Sequence, residues 1–259
     1  MIRSLREVAT PPADSALDSA LDSVLDSALD SALDSALAKQ VRGALAGAGD
    51  PVKAEVQQRY MKSALPYRGL TAPELKALLR PILASYVPED RGEWEAAVLD
   101  LWDHATHREE WYAALAVARH RRATQWLDPE SLPLWRHLIV SGAWWDVVDE
   151  TATHLVGDVL RAHRLDVTPL LDDWADDENL WVRRTAVICQ VGHREATDRN
   201  LLLRAVEANL EDPTFWLRKA IGWAFRDYAR TDPDWVWAQV DRLGDRLSGL
   251  SRREATKHR

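Results

Sequence analysis

Leu180-Trp181-Val182-Arg183-Arg184-Thr185-Ala186 and, 35 residues later, Phe215-Trp216-Leu217-Arg218-Lys219-Ala220 follow one pattern. In each, a bulky apolar residue precedes a tryptophan, and a cation follows three residues after it. Glu110-Trp111-Tyr112-Ala113-Ala114-Leu115 opens a similar segment. With Trp145 added, the marker tryptophans fall at 111, 145, 181 and 216, separated by 34, 36 and 35 residues. A period near 35 made of two helices is the mark of an α-solenoid, whose units bury their apolar faces only by stacking. The tetratricopeptide pattern Trp-x2-Leu-Gly-x2-Tyr does not fit these segments. A HEAT-like array does, with units somewhat short for that class.

The punctuation between segments agrees. Asp-Pro pairs at 50–51, 128–129, 212–213 and 232–233 read as an N-cap followed by proline in the first helical turn. Thr71 and Glu74 have capping-box spacing ahead of Leu75, Leu78, Leu79 and Ile82, which recur at helical intervals. No stretch alternates with period two, so the expected fold is all-α.

The first 49 residues read differently. Ser15 to Leu37 repeats Ser-Ala-Leu-Asp with one variation, Val24. Four residues on a 3.6-residue helix advance the stripe by ~40° per repeat. The leucines at 17, 21, 25, 29, 33 and 37 therefore spiral around a helix and make no single buried face. Residues 1–49 are expected to be a low-complexity segment, disordered or loosely helical, and 50–259 the solenoid.

Of 259 residues, 33 are Lys or Arg and 41 Asp or Glu, a net charge of −8 shared equally between residues 1–50 and the remainder. That argues weakly against a polyanionic partner, but phosphate binding depends on local clustering. No run approaches the ~20 apolar residues of a spanning helix, and no apolar stretch of a secretory signal follows Met1. Cys189 stands alone, which excludes an internal disulfide and suits a reducing compartment. A cytoplasmic protein without a membrane partner is expected.

The stretch Ser141-Gly142-Ala143-Trp144-Trp145-Asp146-Val147-Val148-Asp149 sets indoles beside carboxylates. Trp145 and Asp149 are four apart and share a helix face. Four residues after the marker, the other units carry Leu115, Thr185 and Ala220, so only this unit places a carboxylate there. Arg184 and Lys219 add cations further along, and Trp223 lies seven after Trp216, on the same face. If the solenoid curves, these groups line its concave side, the usual binding surface of such arrays. Indoles, a carboxylate and cations together suit a nucleic-acid reader with chemistry attached: cations for phosphates, indoles against a nucleoside. The carboxylate would stabilise an oxocarbenium-like transition state of glycosidic cleavage. A cationic alkylated purine leaves readily, which fits the lack of an evident general acid.

Other constellations are weaker. His104 and His107, next to Asp103, lack further ligands, so no metal is expected. Cys189 and His193 have an i,i+4 spacing, but the run Ala186-Val187-Ile188-Cys189 reads as core. No phosphate-cradling glycine loop precedes a lysine. Trp235 and Trp237 read as packing groups, and Arg119-His120-Arg121-Arg122 as a solvated helix end.

Five motifs, in order over about residues 55–258, carry a resemblance: Arg59-Tyr60-Met61-Lys62; Trp144-Trp145-Asp146-x-Val148-Asp149; Trp181-x2-Arg184-x-Ala186-x3-Gln190; Lys219-Ala220-Ile221-Gly222-Trp223-x2-Arg226-x-Tyr228; and Ser251-x-Arg253-Glu254-Ala255-x-Lys257-His258. The chain resembles the AlkD-like DNA alkylation repair proteins, HEAT-like repeat alkylpurine DNA glycosylases. The resemblance implies hydrolysis of the N-glycosidic bond of cationic N3- or N7-alkylated purines in double-stranded DNA, without full base flipping and without a cofactor. It implies Asp149 as the catalytic carboxylate, Trp145 and Trp223 as aromatic walls against the deoxyribose, and Arg184 as a backbone contact near the lesion. Tyr60 and Arg226 match positions near the DNA, and Lys219 joins them as a phosphate contact. A monomer is expected, working in the cytoplasm and at the nucleoid when bound to DNA. The alternative is a non-catalytic HEAT-like scaffold or DNA-structure-binding protein. The Ser-Ala-Leu-Asp tract, the extra cation Arg183 and the acidic total depart from the family pattern.

Overall fold

Asparagine, threonine, serine and aspartate side chains ahead of many of the apolar runs accept the first helical amides and fix where those helices begin. A computed structural model describes residues 35–259. The Ser-Ala-Leu-Asp repeat up to Asp34 lies outside the described residues. Among the described residues there is no strand. The helices are α1 (Ala36–Ala46), α2 (Pro51–Met61), α3 (Ala72–Ser85), α4 (Arg91–Asp103), α5 (Arg108–Ala118) and α6 (Leu132–Gly142). Then comes a long rod, α7. It runs from Trp145–Glu150 through a π-helical stretch, Thr151–Val156, into Gly157–Ala162. The rest are α8 (Arg164–Ala175), α9 (Leu180–Ile188), α10 (Arg199–Ala208), α11 (Phe215–Tyr228), α12 (Pro233–Leu243) and α13 (Gly249–Ala255).

These helices form a helical-repeat solenoid in two layers. In one layer α5, α7, α9, α11 and α13 each contact the next. In the other, α8 packs on α10, and successive units are joined by pairs such as α4 with α5 and α8 with α9. The core runs through the whole stack, with Trp94, Trp135, Leu155, Ile188 and Phe225 fully buried. Each such side chain contributes about 1.5–3 kcal/mol on burial, so stacking holds the units together.

Most of the expected starts are present. Asp50 caps α2 ahead of Pro51, Asp232 caps α12 ahead of Pro233, and Thr71 with Glu74 forms a full capping box on α3. Asp128-Pro129 opens a 3-10 turn that leads into α6. Asp212-Pro213 is the exception. Asp212 Oδ1 accepts from the Thr214 amide at 2.7 Å, a turn that moves the cap to Thr214 and the first helical residue to Phe215.

The expected boundary at residue 50 is corrected. Helix α1 is docked, with Leu37, Ala38, Val41 and Leu45 buried against the domain. Arg42 reaches Asp100 and Glu110 at 2.9 Å each. Leu37, the last leucine of the tetrad repeat, thus belongs to the core. From Lys39 the tetrad stops, and Val41 and Leu45 add to Leu37 at four-residue steps short enough to stay on one face.

His104 and His107 are not on one helix face. They are the C-cap of α4 and the N-cap of α5, on either side of a turn. Cys189 is core: its buried thiol donates to the Ala186 carbonyl, and burial pushes its pKa up to about 12. Trp235 packs edge-on against Phe225 and Tyr228. In the run from Arg119, His120 is buried against the Tyr86 ring, and Arg121 and Arg122 are exposed.

Candidate active site

Three helix starts in the α5–α13 layer are the frame of the site. Trp144, Asn179 and Thr214 are the N-caps of α7, α9 and α11. Counted from these caps, Asp149, Arg184 and Lys219 are each the fifth helical residue. Asp149 therefore corresponds to Arg184 and Lys219 rather than to Thr185 and Ala220. The cap residue Trp144 itself packs against the tryptophans of the next two units. Its ring lies 6.2 Å from that of Trp181 and 5.5 Å from that of Trp216. By the same count Trp145 is the counterpart of Leu180 and Phe215, and Asp146 that of Trp181 and Trp216. So the carboxylate does not break the packing rule; it is the anionic member of a polar row.

Neighbouring members of that row meet. Arg184 Nε donates to Asp149 Oδ1 at 2.7 Å and Nη2 to Oδ2 at 2.8 Å, a bidentate pair. Its Nη1 donates to the Trp216 carbonyl at 2.6 Å. With 4% of its surface exposed, Arg184 holds Asp149 in place from the wall of the cleft that both line. Burial raises the pKa of Asp149, the Arg184 pair lowers it, and nearby Asp146 adds a further push upward. Burial wins, so the folded pKa lies above the ordinary carboxylate value.

Asp146, the other acid of the motif, serves the scaffold. It accepts from Arg108 and from the Tyr112 hydroxyl, both at 2.6 Å, and ties α7 to α5. Gln190 is also structural: its side chain accepts from the Asp198 amide and donates to the Asp198 carbonyl, which folds the turn ahead of α10.

Trp145, Asp149, Arg184, Lys219, Trp223 and Arg226 line one cleft of about 200 Å³, together with Phe215 and Trp216. Phe215, Lys219, Trp223 and Arg226 are spaced four, four and three apart, so they form one face of α11. The side chain of Asp149 is 17% exposed, enough for the carboxylate to reach the cleft. Lys219 and Arg226 are both paired with Glu254 of α13, Lys219 at 2.9 Å. These cations hold the Glu254 pKa below the usual range, the Lys219 hydrogen bond contributing most. A side chain at Gly222 would bring a Cβ within 2.4 Å of Glu254 Cβ, so only glycine lets α13 approach closely enough for these pairs. Three cations thus face two carboxylates around the cleft.

Tyr60 is not among the lining residues. It is 75% exposed on α2, in line with exposed Val52 and Val56. Phe215, 55% exposed at the mouth, was not singled out by the sequence reading. Its signal is the cap: like Trp145 it is the first residue of its helix. Glu254 carried no signal beyond its motif, because its partners lie on another helix.

Fold and cleft together define an α-helical repeat protein whose one layer sets a half-buried carboxylate among indoles and cations. A profile of the family described as DNA alkylation repair enzyme matches residues 41–258. The chain belongs to that family. It is similar to the solved structure of a predicted DNA alkylation repair enzyme from Enterococcus faecalis, with 29% sequence identity and a TM-score of 0.73. The match covers 81% of this chain and 96% of that one. None of the curated proteins matches the chain. Among the described residues, no helix is long and apolar enough to cross a membrane.

Proposed function

We propose that the protein is a monomeric DNA glycosylase, acting in the cytoplasm, that hydrolyses the N-glycosidic bond of cationic N3- or N7-alkylated purines in duplex DNA. The observation that carries this reading is Asp149, held by both oxygens on Arg184 in a cleft that Trp145 and Trp223 also line. Both oxygens accept from a guanidinium that is always protonated, so the carboxylate acts ionised. As the glycosidic bond breaks, its electron pair leaves with the base and neutralises the purine. The positive charge passes to the sugar ring. Asp149 stabilises that charge and orients a water, whose oxygen bonds to C1′ while its proton goes to the carboxylate or to solvent. Trp145 and Trp223 offer electron-rich faces to the same cation.

The cleft's volume supports a reaction without full base extrusion. About 200 Å³ is below the roughly 300–1,000 Å³ of pockets that enclose a ligand, so it suits the edge of a nucleotide still near the stack. Lys219 and Arg226 would meet phosphates flanking the lesion, and exposed Tyr60 would contact the duplex further out. The test is release of 7-methylguanine or 3-methyladenine from methylated duplex by wild type and by Asp149→Asn. Robust release by the variant removes Asp149 from the mechanism. No release by folded wild type, with duplex binding retained, leaves the non-catalytic DNA binder.

A further inference from the structure

A second cavity, about 470 Å³, opens beside the first and shares one residue with it, Arg226. It lies between the end of α11, the start of α12 and the end of α13. Small and flat residues line it: Ala229, Pro233, Ala255 and Trp237. Its charged lining residues are Arg226 and Arg230, with His258 beside them, and no carboxylate lines it. In a chain of net charge −8 that is an unusual local balance. Arg226 and Arg230 are four apart on α11 and its extension, so both point along the face that carries Trp223 and Lys219. Arg230 is exposed and forms no ion pair with a carboxylate among the described residues, whereas Arg226 is anchored by Glu254. Arg259 lies 5.5 Å from the centroid of the Trp237 ring and pairs with Asp241.

A cavity lined by two arginines and an indole, with no carboxylate among its lining residues, fits a phosphate ester carrying a sugar or base. Its continuity with the cleft through Arg226 selects the source. We propose that this cavity is a second DNA subsite, taking a phosphodiester of the strand as it leaves the cleft, with Arg230 as its principal contact and Trp237 against the adjoining sugar. This rests on the glycosylase reading for the direction of the strand. Its energetics do not depend on chemistry: each phosphate contact releases counterions, so log K falls with log[salt] by about 0.9 per contact.

The experiment compares wild type with Arg230→Gln, using fluorescence anisotropy on undamaged duplexes at several salt concentrations. One duplex spans the cleft alone and one extends well past it. The variant is expected to bind the long duplex several-fold more weakly, with a salt slope shallower by about 0.9, and the short duplex like wild type. Equal slopes for the two proteins on the long duplex overturn the subsite. So does Arg230-dependent binding of free deoxyadenosine monophosphate with no change in the DNA slope, which assigns the cavity to a small ligand. Wild type that excises but ignores Arg230 in its salt slope sinks the subsite alone. Wild type that binds the long duplex through Arg230 yet excises nothing sinks the glycosylase reading alone.

Discussion

Replacing Arg184 by methionine keeps most of the side-chain volume and removes the counter-ion of Asp149. The carboxylate then loses two charge-assisted hydrogen bonds, of 2.7 and 2.8 Å, at a site where its side chain is only 17% exposed. Breaking a buried ion pair by removing one partner costs about 3–5 kcal/mol. Protonation sets a ceiling on the electrostatic part. From the ordinary value of 3.8, neutralising the acid at pH 7 costs about 4 kcal/mol, at 1.36 kcal/mol per pH unit. At pH 5.5 the same ceiling drops to about 2 kcal/mol. Loss of the bond to the Trp216 carbonyl adds about 1 kcal/mol at any pH. Arg184→Met is therefore expected to cost about 3–5 kcal/mol at pH 7 and about 1.5 kcal/mol less at pH 5.5. The double variant Asp149→Asn/Arg184→Met, with no charge left to desolvate, recovers the pH-dependent part. Urea unfolding with linear extrapolation at both pH values measures all three proteins. A cost below about 1 kcal/mol, or one that does not change with pH, refutes the reasoning. It would mean that cleft water alone solvates Asp149.

Three further outcomes are expected. Excision should decline on the acid side as Asp149 takes up a proton, at a pH above the ordinary carboxylate range, because burial raises its folded pKa; a single-turnover pH profile that stays flat there would show that its ionised form is not required. Gly222→Ala should destabilise by about 1–3 kcal/mol, since its Cβ would sit 2.4 Å from Glu254 Cβ and 2.9 Å from the Ser251 carbonyl oxygen, neither the free end of a side chain. Thermal unfolding reads that loss, and weaker duplex binding should accompany it as Glu254 is displaced from Lys219 and Arg226. His193 is held at a pKa of about 4 by burial, with Arg161 and Arg164 adding to the effect, against an ordinary 6.5. The unfolded chain therefore takes up the proton first, so this stability is present above pH 6.5 and lost as pH falls toward 4. Between pH 7 and 5 wild type should lose about 2 kcal/mol more than His193→Gln in urea titrations.

Within a single helix the residue order is enough to say what lies beside what. The repeating turn alone puts Trp145 with Asp149, and Trp223 two turns along from Trp216. The Asp-Pro starts at 50 and 232, and the box at Thr71, likewise needed only local chemistry, because a cap satisfies amides two or three residues away. Between helices that logic stops. Asp149 meets Arg184 because Trp144 and Asn179 start their helices in matching register. A one-residue error in either start rotates every later side chain by about 100°, and pairing Trp145 with Trp181 and Trp216 is such an error, since counted from the caps Trp145 matches Leu180 and Phe215. The pairing of Glu254 with Lys219 and Arg226 depends on how closely α13 settles over Gly222. The docking of Leu37 depends on a surface offered by helices that come later in the chain. Turn geometry is a property of neighbours along the backbone. Which faces touch is set by the stacking of the whole array, and only the folded molecule decides it.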